Sequence, residues 1–346
     1  MPTVAPEALI DFVQRLFVAA GAPPAIARFV AESLVASDLA GHESHGVVRV
    51  IQYLESIDAG QLLPAAEPTI ERETPTTAVV DGHWGFGQVT ARFAMKTAIA
   101  KAQAQGIAAV GVRNCNHIGR VGEWTQMAAE RQMIGLGFCN GGRPGGAVAP
   151  YGGRARLLGT NPIAAALPVA GQPPLVIDFA TSVVAEGKIR IAHHRGKPLP
   201  EGWILGPEGE PSTDARDFYA GGMLLPAAGH KGYGLSMLME FLGGILAGRG
   251  CPALPGFVTG NGVLFIALAI EPFRRLEDFL NDAAALCARA KATPPAAGHA
   301  EVFLPGEPER RTTALRQAAG VVIDTTTWQE LMDAADRRHV PPGMVG

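Results

Sequence analysis

Apolar residues recur at helical spacing near the start of the chain and then give way to short runs separated by glycine-rich turns. Residues 7–20 carry such a stripe and stop at Gly21. Pro23 and Pro24 open a second helix over 25–39, since proline's fixed φ suits the first helical turn. After a break at 41–43, the pattern predicts a third helix from about His45 to Asp58, ending before Gly60. Beyond Thr69 the period changes. Strands are predicted at 78–81, 107–113, 134–139, 159–168, 175–179 and 263–269, and helices at 90–105, 123–131, 232–247, 271–290 and 326–337. Residues 114–122 and 304–308 read as loops. Strand and helix alternate as in an α/β layer architecture, and that alternation by itself points to a parallel sheet.

Composition narrows the class. With 346 residues, 47% of them hydrophobic, the chain can build a large core of two or three packed subdomains. A formal net charge of −3 argues against a nucleic-acid binder, which would show a basic stripe. Cys115, Cys139, Cys251 and Cys287 include no C-x-x-C pair, and residues 1–11 lack a basic segment leading into an apolar run. Reduced thiols and a cytoplasmic location are expected. The most apolar window, 235–248, contains Glu240 and is too short to span a bilayer, so no membrane partner is expected and it reads as a buried helix.

The chemistry concentrates in Glu43-Ser44-His45-Gly46-Val47-Val48-Arg49-Val50-Ile51-Gln52-Tyr53. His45, Arg49 and Tyr53 are spaced i, i+4, i+8 and share one stripe if the segment is helical. An imidazole moves protons near neutral pH, a guanidinium grips a carboxylate with two hydrogen bonds, and a phenol can add a third. At a helix N-terminus, the partial positive charge also lowers the histidine's pKa. A plainer reading stands beside this one: Ser44 caps the helix, His45 lies on the surface and Arg49 pairs with Glu55.

No dinucleotide fingerprint G-x-G-x-x-G and no phosphate loop G-x-x-x-x-G-K-[ST] is present, so a nicotinamide cofactor would have to bind without them. Gly229-His230-Lys231-Gly232-Tyr233-Gly234 offers an anion site ahead of a helix, or simply a glycine-rich turn. Asn116-His117-Ile118-Gly119-Arg120 closes a strand, where His117 could meet a cofactor, carry a proton or bond nearby backbone. Thr160 in Gly159-Thr160-Asn161-Pro162 could face a substrate or start a turn, and Asp178 could accept from a cofactor hydroxyl or cap a turn. The histidines, including His42, His83, His193 and His194, match no H-E-x-x-H or paired-cysteine pattern, so no metal is expected.

Taken in order along nearly the whole chain, these stretches resemble the type-2 malate/L-lactate dehydrogenase family, which also holds ureidoglycolate and sulfolactate dehydrogenases, diketogulonate reductases and cyclic ketimine reductases. Ser44-His45-Gly46-x-x-Arg49, Gly85-x-Gly87, Asn116-His117-x-Gly119, Pro150-Tyr151-Gly152-Gly153, Gly159-Thr160-Asn161-Pro162, Asp178-Phe179-Ala180, Gly229 to Gly234 and Leu304-Pro305-Gly306-Glu307 carry the resemblance. It implies a non-Rossmann α/β fold, with a mostly antiparallel cofactor-binding sheet and helices from both chain ends packed together. It also implies a homodimer that uses NAD or NADP.

By that resemblance, His45 is the acid that protonates the substrate, Ser44 its relay partner, and Arg49 the carboxylate anchor. Thr160 is a substrate contact, and Tyr53 joins it by spacing. His117 is assigned as proton acceptor in some members, so the base stays open between the two histidines. Cofactor contacts are implied for His117, Ile118, Gly119, Arg120, Val121, Asn140, Asp178, Phe179, Ala180, His230, Lys231, Leu304, Pro305, Gly306, Glu307 and Arg310. The regions expected are a helical region at 1–68 that carries the catalytic face and packs with a C-terminal helix 310–346, an NAD(P)-binding α/β domain at 69–225, and a helical and strand region at 226–309 that completes the cofactor and substrate site. Two departures matter. Lys188 stands where the ketimine reductases carry a relay aspartate, which favours a 2-hydroxy acid over an imine, and the connection 249–260 is short for the family.

Overall fold

The structure, a computed structural model, describes residues 1–194 and 196–341, without the side chains of Ile191 and His194. The adjacent histidine His194 and residues 342–346 of the C-terminal segment therefore lie outside what is described. Helices α1 (Pro6–Ala19), α2 (Pro24–Leu39) and α3 (Arg49–Asp58) form the first layer. Leu9, Phe12, Val13, Leu16 and Phe17 of α1 are all fully buried, at helical spacing. Each such side chain contributes roughly 1.5–3 kcal/mol by leaving water. Leu331, Ala334 and Ala335 of the C-terminal helix join the same core, and Thr3–Val4 pairs antiparallel with Val321–Val322. The two chain ends are thus packed together.

The main sheet has seven strands, in the order Thr69–Glu73, Thr77–Asp81, Ile107–Cys115, Gly260–Ala269, Met133–Gly142, Ile163–Val169, Gln172–Phe179. Only Thr77–Asp81 and Ile107–Cys115 run parallel, joined through α4 (Gly87–Gln105). Every other pair is antiparallel. The parallel sheet that alternation suggested is therefore corrected. Strand Gly260–Ala269 arrives from far along the chain and inserts between two earlier strands, antiparallel to both, and a short turn joins the last two strands in the sheet order. Helices α4 and α5 (Val121–Ala129) cover the sheet, with Ala94, Met95, Ala98 and Trp124 fully buried against it.

A third core gathers α6 (Glu186–His194), α7 (Ala215–Tyr219) and three short strands. Helix α8 (His230–Met239) runs on into a π-helical turn, Glu240–Leu246. Helices α9 (Leu276–Lys291), α10 (Glu307–Ala319) and α11 (Thr325–Arg337) complete the chain.

Two sequence expectations fail instructively. The third helix begins at Arg49, not His45. Residues Glu43–His45 form a short 3-10 turn, because the buried Asp38 carboxylate accepts the Val47 N–H at 2.8 Å and holds the backbone out of the helix. The window 235–248 is not buried all round. Gly243 and Gly244 lie against the strand Met133–Gly142, while Leu238, Phe241, Ile245 and Leu246 are 42–61% exposed on the other side. Among the described residues, no helix is long and apolar enough to cross a membrane.

Candidate active site

The 3-10 turn presents Ser44 and His45 just ahead of α3. Ser44 Oγ lies 3.0 Å from His45 Nδ1, so it serves the imidazole, and α3 has no side-chain cap. Arg49 donates from Nε to the Ser44 carbonyl at 2.7 Å and from Nη1 to Gln52 Oε1 at 2.7 Å. Both acceptors are neutral, and no ion pair with Glu55 forms among the described residues. Neither acceptor neutralises the guanidinium.

His117 comes from the end of strand Ile107–Cys115 and lays its ring on His45, with centroids 5.4 Å apart and planes inclined by 23°. Burial pulls the His45 pKa down to about 3, and the charges of Arg49, His42 and Arg120 push the same way. Burial also holds His117 well below the ordinary histidine range, with Arg49 and His45 adding to it. Desolvation, more than the helix terminus expected from sequence, keeps both imidazoles neutral. Tyr53 is 2% exposed, and its hydroxyl sits 2.7 Å from His117 Nδ1 and accepts from Gln88 Nε2 at 2.8 Å. The phenol expected to meet a substrate thus contacts the second histidine.

A second cluster lies along the sheet edge. The Gly122 N–H, at the start of α5, donates to Asp178 Oδ2 at 2.7 Å. Asp178 lines a groove of about 360 Å³ between Val176–Phe179 and the segment Phe303–Gly306, closed by Pro308 and Glu309. Glu309 reaches His42 at 3.5 Å, which connects the groove to the turn bearing His45. Ile118 N–H donates to Asn261 Oδ1, Gly119 takes a positive φ of 74°, and Val121 opens α5. Arg120 stands at the mouth of α5 with a buried Nε that has no partner among the described residues.

Several other expected residues serve the scaffold around that groove. Glu307 accepts the Leu304 N–H at 3.0 Å and pairs with Lys291, fixing the loop that holds Pro305 and Gly306. Arg310 donates to the Pro174 carbonyl. Phe179 is 47% exposed, and Ala180 leads from it to Thr181. The Thr160 carbonyl takes the Thr181 N–H at 2.9 Å, and the Thr181 carbonyl takes the Ala227 N–H at 2.8 Å, which draws the start of α8, with His230 and Lys231, toward Thr160. Lys231 is exposed. Asn140 is fully buried and bonded to Glu240. His83 is exposed beside Thr69, and His193 lies against Tyr219. Among the described residues, no group of three or more His, Cys, Asp or Glu could hold a metal ion.

Sequence reading missed Asp38, Gln88 and Glu240, all buried polar groups. Glu240 gave a signal as the single charge in an apolar window. Gln88 and Asp38 gave none, since their partners lie on other elements or beyond a turn.

The fold sets two stacked imidazoles near a guanidinium bonded to neutral acceptors, on a mostly antiparallel α/β sheet of the dehydrogenase class. The chain belongs to the malate/L-lactate dehydrogenase family, whose profile matches residues 4–332. A malate dehydrogenase of Pyrococcus abyssi is 38% identical over 342 residues, covering 96% of this chain and 93% of that protein. The structure of sulfolactate dehydrogenase from Methanocaldococcus jannaschii superposes with a TM-score of 0.89 at 34% identity, covering 98% of each chain. That of Δ1-piperideine-2-carboxylate reductase from Pseudomonas syringae pvar. tomato gives 0.84 at 32% identity, covering 97% of this chain and 100% of the other. The protein is an oxidoreductase acting on CH–OH donors, and the family implies a nicotinamide cofactor. The residues present fit such a group: the groove offers the Asp178 carboxylate, and the orphaned Arg120 Nε offers a donor.

Proposed function

We propose that this chain interconverts a small 2-hydroxy acid and its 2-oxo acid, of the kind named by its malate and sulfolactate dehydrogenase relatives. The observation that carries this is Arg49, whose two bonded partners are neutral, one turn of helix from Ser44 and His45. Arg49 binds the substrate carboxylate and so fixes the 2-carbon in front of the imidazoles. His45 takes the hydroxyl proton in oxidation and returns it in reduction, with Ser44 orienting its Nδ1. Burial is the larger cause of the lowered His45 pKa, and a carboxylate on Arg49 offsets the smaller share that the guanidinium adds, so proton affinity rises when substrate is bound. His117 lies beside the same oxygen, and Thr160 contacts the substrate from the sheet side.

The groove lined by Asp178, Leu304, Pro305 and Gly306, with Arg120 and the His230–Lys231 terminus, holds NAD or NADP. The cofactor supplies or accepts the hydride. The exposed apolar face of Leu238, Phe241, Ile245 and Leu246 supports a homodimer, and the four free, buried cysteines support a reducing, cytoplasmic location. Reduction of a cyclic imine, as the reductase relative's name suggests, is the second reading. Against it stands exposed Lys188 on α6, next to Gly187, where an added Cβ would stand 3.4 Å from the Ser44 side chain.

The test is oxidation of NADH and of NADPH with a panel of 2-oxo acids and cyclic imines. Turnover of an oxo acid is expected, and turnover of imines alone would overturn the reading. Arg49→Ala should raise KM for the oxo acid by about 100-fold or more, the loss of a charge-assisted pair, with the cofactor KM nearly unchanged. An equal rise in both would remove the anchoring role.

A further inference from the structure

Tyr53 and Gln88 are fully buried side chains that the dehydrogenase chemistry above does not use, yet they end on one of its two imidazoles. Gln88, in the first turn of α4, is 0% exposed, and Tyr53 on α3 is 2% exposed. Three elements far apart in sequence meet in one line: Gln88 Nε2, Tyr53 Oη at 2.8 Å, His117 Nδ1 at 2.7 Å. The line has a direction. An amide N–H can only donate, so the phenol oxygen receives a hydrogen from Gln88 and has its own proton left to give. Two acceptors lie within its reach, the His117 carbonyl at 3.4 Å and Nδ1 at 2.7 Å, and the shorter contact makes Nδ1 the bare, accepting nitrogen. A neutral imidazole bare at Nδ1 carries its proton on Nε2, and no described residue bonds Nε2.

We infer that Gln88 and Tyr53 are positioning residues that lock His117 in the Nε2–H tautomer, so that it serves as a neutral hydrogen-bond donor to the substrate oxygen while His45 alone moves the proton. This inference rests on the hydroxyacid reading for the identity of that oxygen, though the tautomer itself does not. The lock divides labour between two stacked histidines that sequence reading could not tell apart. A neutral N–H aimed at a carbonyl oxygen polarises it and stabilises the alkoxide-like charge that grows there during reduction. The buried environment makes that donor stronger and disfavours a second proton on the ring. His45 differs in its partner: Ser44 Oγ, a hydroxyl that can rotate to donate or accept, lets its Nδ1 follow the protonation of the ring.

The experiment uses the full-length protein labelled with 15N-histidine, read by long-range 1H–15N spectra without substrate, with the His117 signals assigned from a His117→Gln sample. The expected spectrum shows His117 protonated at Nε2 across pH 6 to 9. Gln88→Glu replaces the donor by an acceptor of the same shape. Once the introduced carboxyl is ionised, toward the alkaline end of that range, Tyr53 gives its proton to it and His117 must carry its own on Nδ1, so the two 15N shifts should exchange there. In that variant kcat for 2-oxo acid reduction should fall about 100-fold, the scale for loss of one oxyanion donor, while KM for NADH stays within about twofold. Tyr53→Phe removes the lock without a new charge and should give a mixture of tautomers and a smaller fall of about tenfold.

An Nδ1–H signal in the wild type would overturn the proposal, since it would mean that the phenol gives its proton to the His117 carbonyl or to a Gln88 amide turned the other way round. Unchanged 15N shifts in both variants would overturn it too. If the tautomer is as expected but only imines are turned over, the lock stands and the hydroxyacid reading falls.

Discussion

Two buried carboxylates brace the two sides of the site, and the protein solvates them very differently. Asp38, behind the turn that carries Ser44 and His45, is 3% exposed and takes one backbone N–H, from Val47. Glu240, behind the loop that carries Thr160, is equally buried but takes Asn140 Nδ2 at 2.8 Å, Asn161 Nδ2 at 2.7 Å and the Gly159 N–H at 3.4 Å. Neither forms an ion pair among the described residues. Burial raises both pKa values, Asp38 to about 8. At Glu240 the two asparagine amides and the Gly159 N–H oppose the rise, whereas at Asp38 Val47 and the Arg316 charge oppose it and Glu43 adds to it. The difference teaches that, at equal depth, the number of donors decides how strongly the upward pull of burial on a carboxyl is opposed.

The comparison breaks first, and most severely, at Glu240. Glu240→Leu leaves two asparagine amides and a backbone N–H facing an apolar side chain, each worth about 1–3 kcal/mol when stranded. A loss of about 3 kcal/mol or more in urea unfolding is expected from those stranded donors, along with a raised KM for the oxo acid, because the Gly159–Asn161 loop loses its tether. A stability close to wild type would show that the three bonds brace nothing. Gly46→Ala sharpens the other side. A Cβ there would stand 1.9 Å from Asp38 Oδ1, so either the carboxyl or the turn must move. Such overpacking costs about 1–3 kcal/mol. Since the turn carries His45, kcat should fall more than thermal stability suggests, and a variant with full activity would detach Asp38 from the site.

Sequence showed one half of this site much better than the other. Ser44, His45 and Arg49 lie within six positions, so their spacing alone put them in one place, and local hydrogen bonds in the structure keep them there. The exact frame was not visible. The chain stays out of helix until Arg49 because Asp38, from the preceding helix, captures the Val47 N–H, and no periodicity records a tertiary hydrogen bond. His117 was visible as a polar residue closing a strand, but its stacking on His45 depends on where the strand Ile107–Cys115 enters the sheet. The sheet itself was misread from alternation. Strand Gly260–Ala269 finds its place through side-chain packing over a long separation, and only the resemblance to a known family anticipated the antiparallel result. The C-terminal helix expected over 310–346 is two helices, α10 and α11, with the strand Val321–Val322 between them, and the periodicity showed only the second because α10 has no buried residue and hence no apolar stripe.

The effect per pH unit is the smallest and discriminates most finely, because it turns the Asp38 side of the comparison into a slope. Desolvation raises this carboxyl from 3.8 in the unfolded chain to about 8 in the folded one. Between those values the folded protein holds a proton that the unfolded chain has released, so stability must fall as pH rises through the window. Below it both states are protonated and above it both are ionised, and the contribution is flat. Asp38→Asn keeps an oxygen to accept the Val47 N–H but cannot titrate. The difference in unfolding free energy, variant minus wild type, should therefore climb from about pH 4 to about pH 8, by at most about 1.4 kcal/mol per pH unit. Glu240 and every other titrating group are present in both proteins and cancel. Parallel curves would mean that Asp38 is ionised throughout, held by Val47 and Arg316 better than its single side-chain hydrogen bond suggests, and the contrast with Glu240 would vanish. A climbing difference would establish that the turn bearing His45 rests on a group that changes charge within the working pH range.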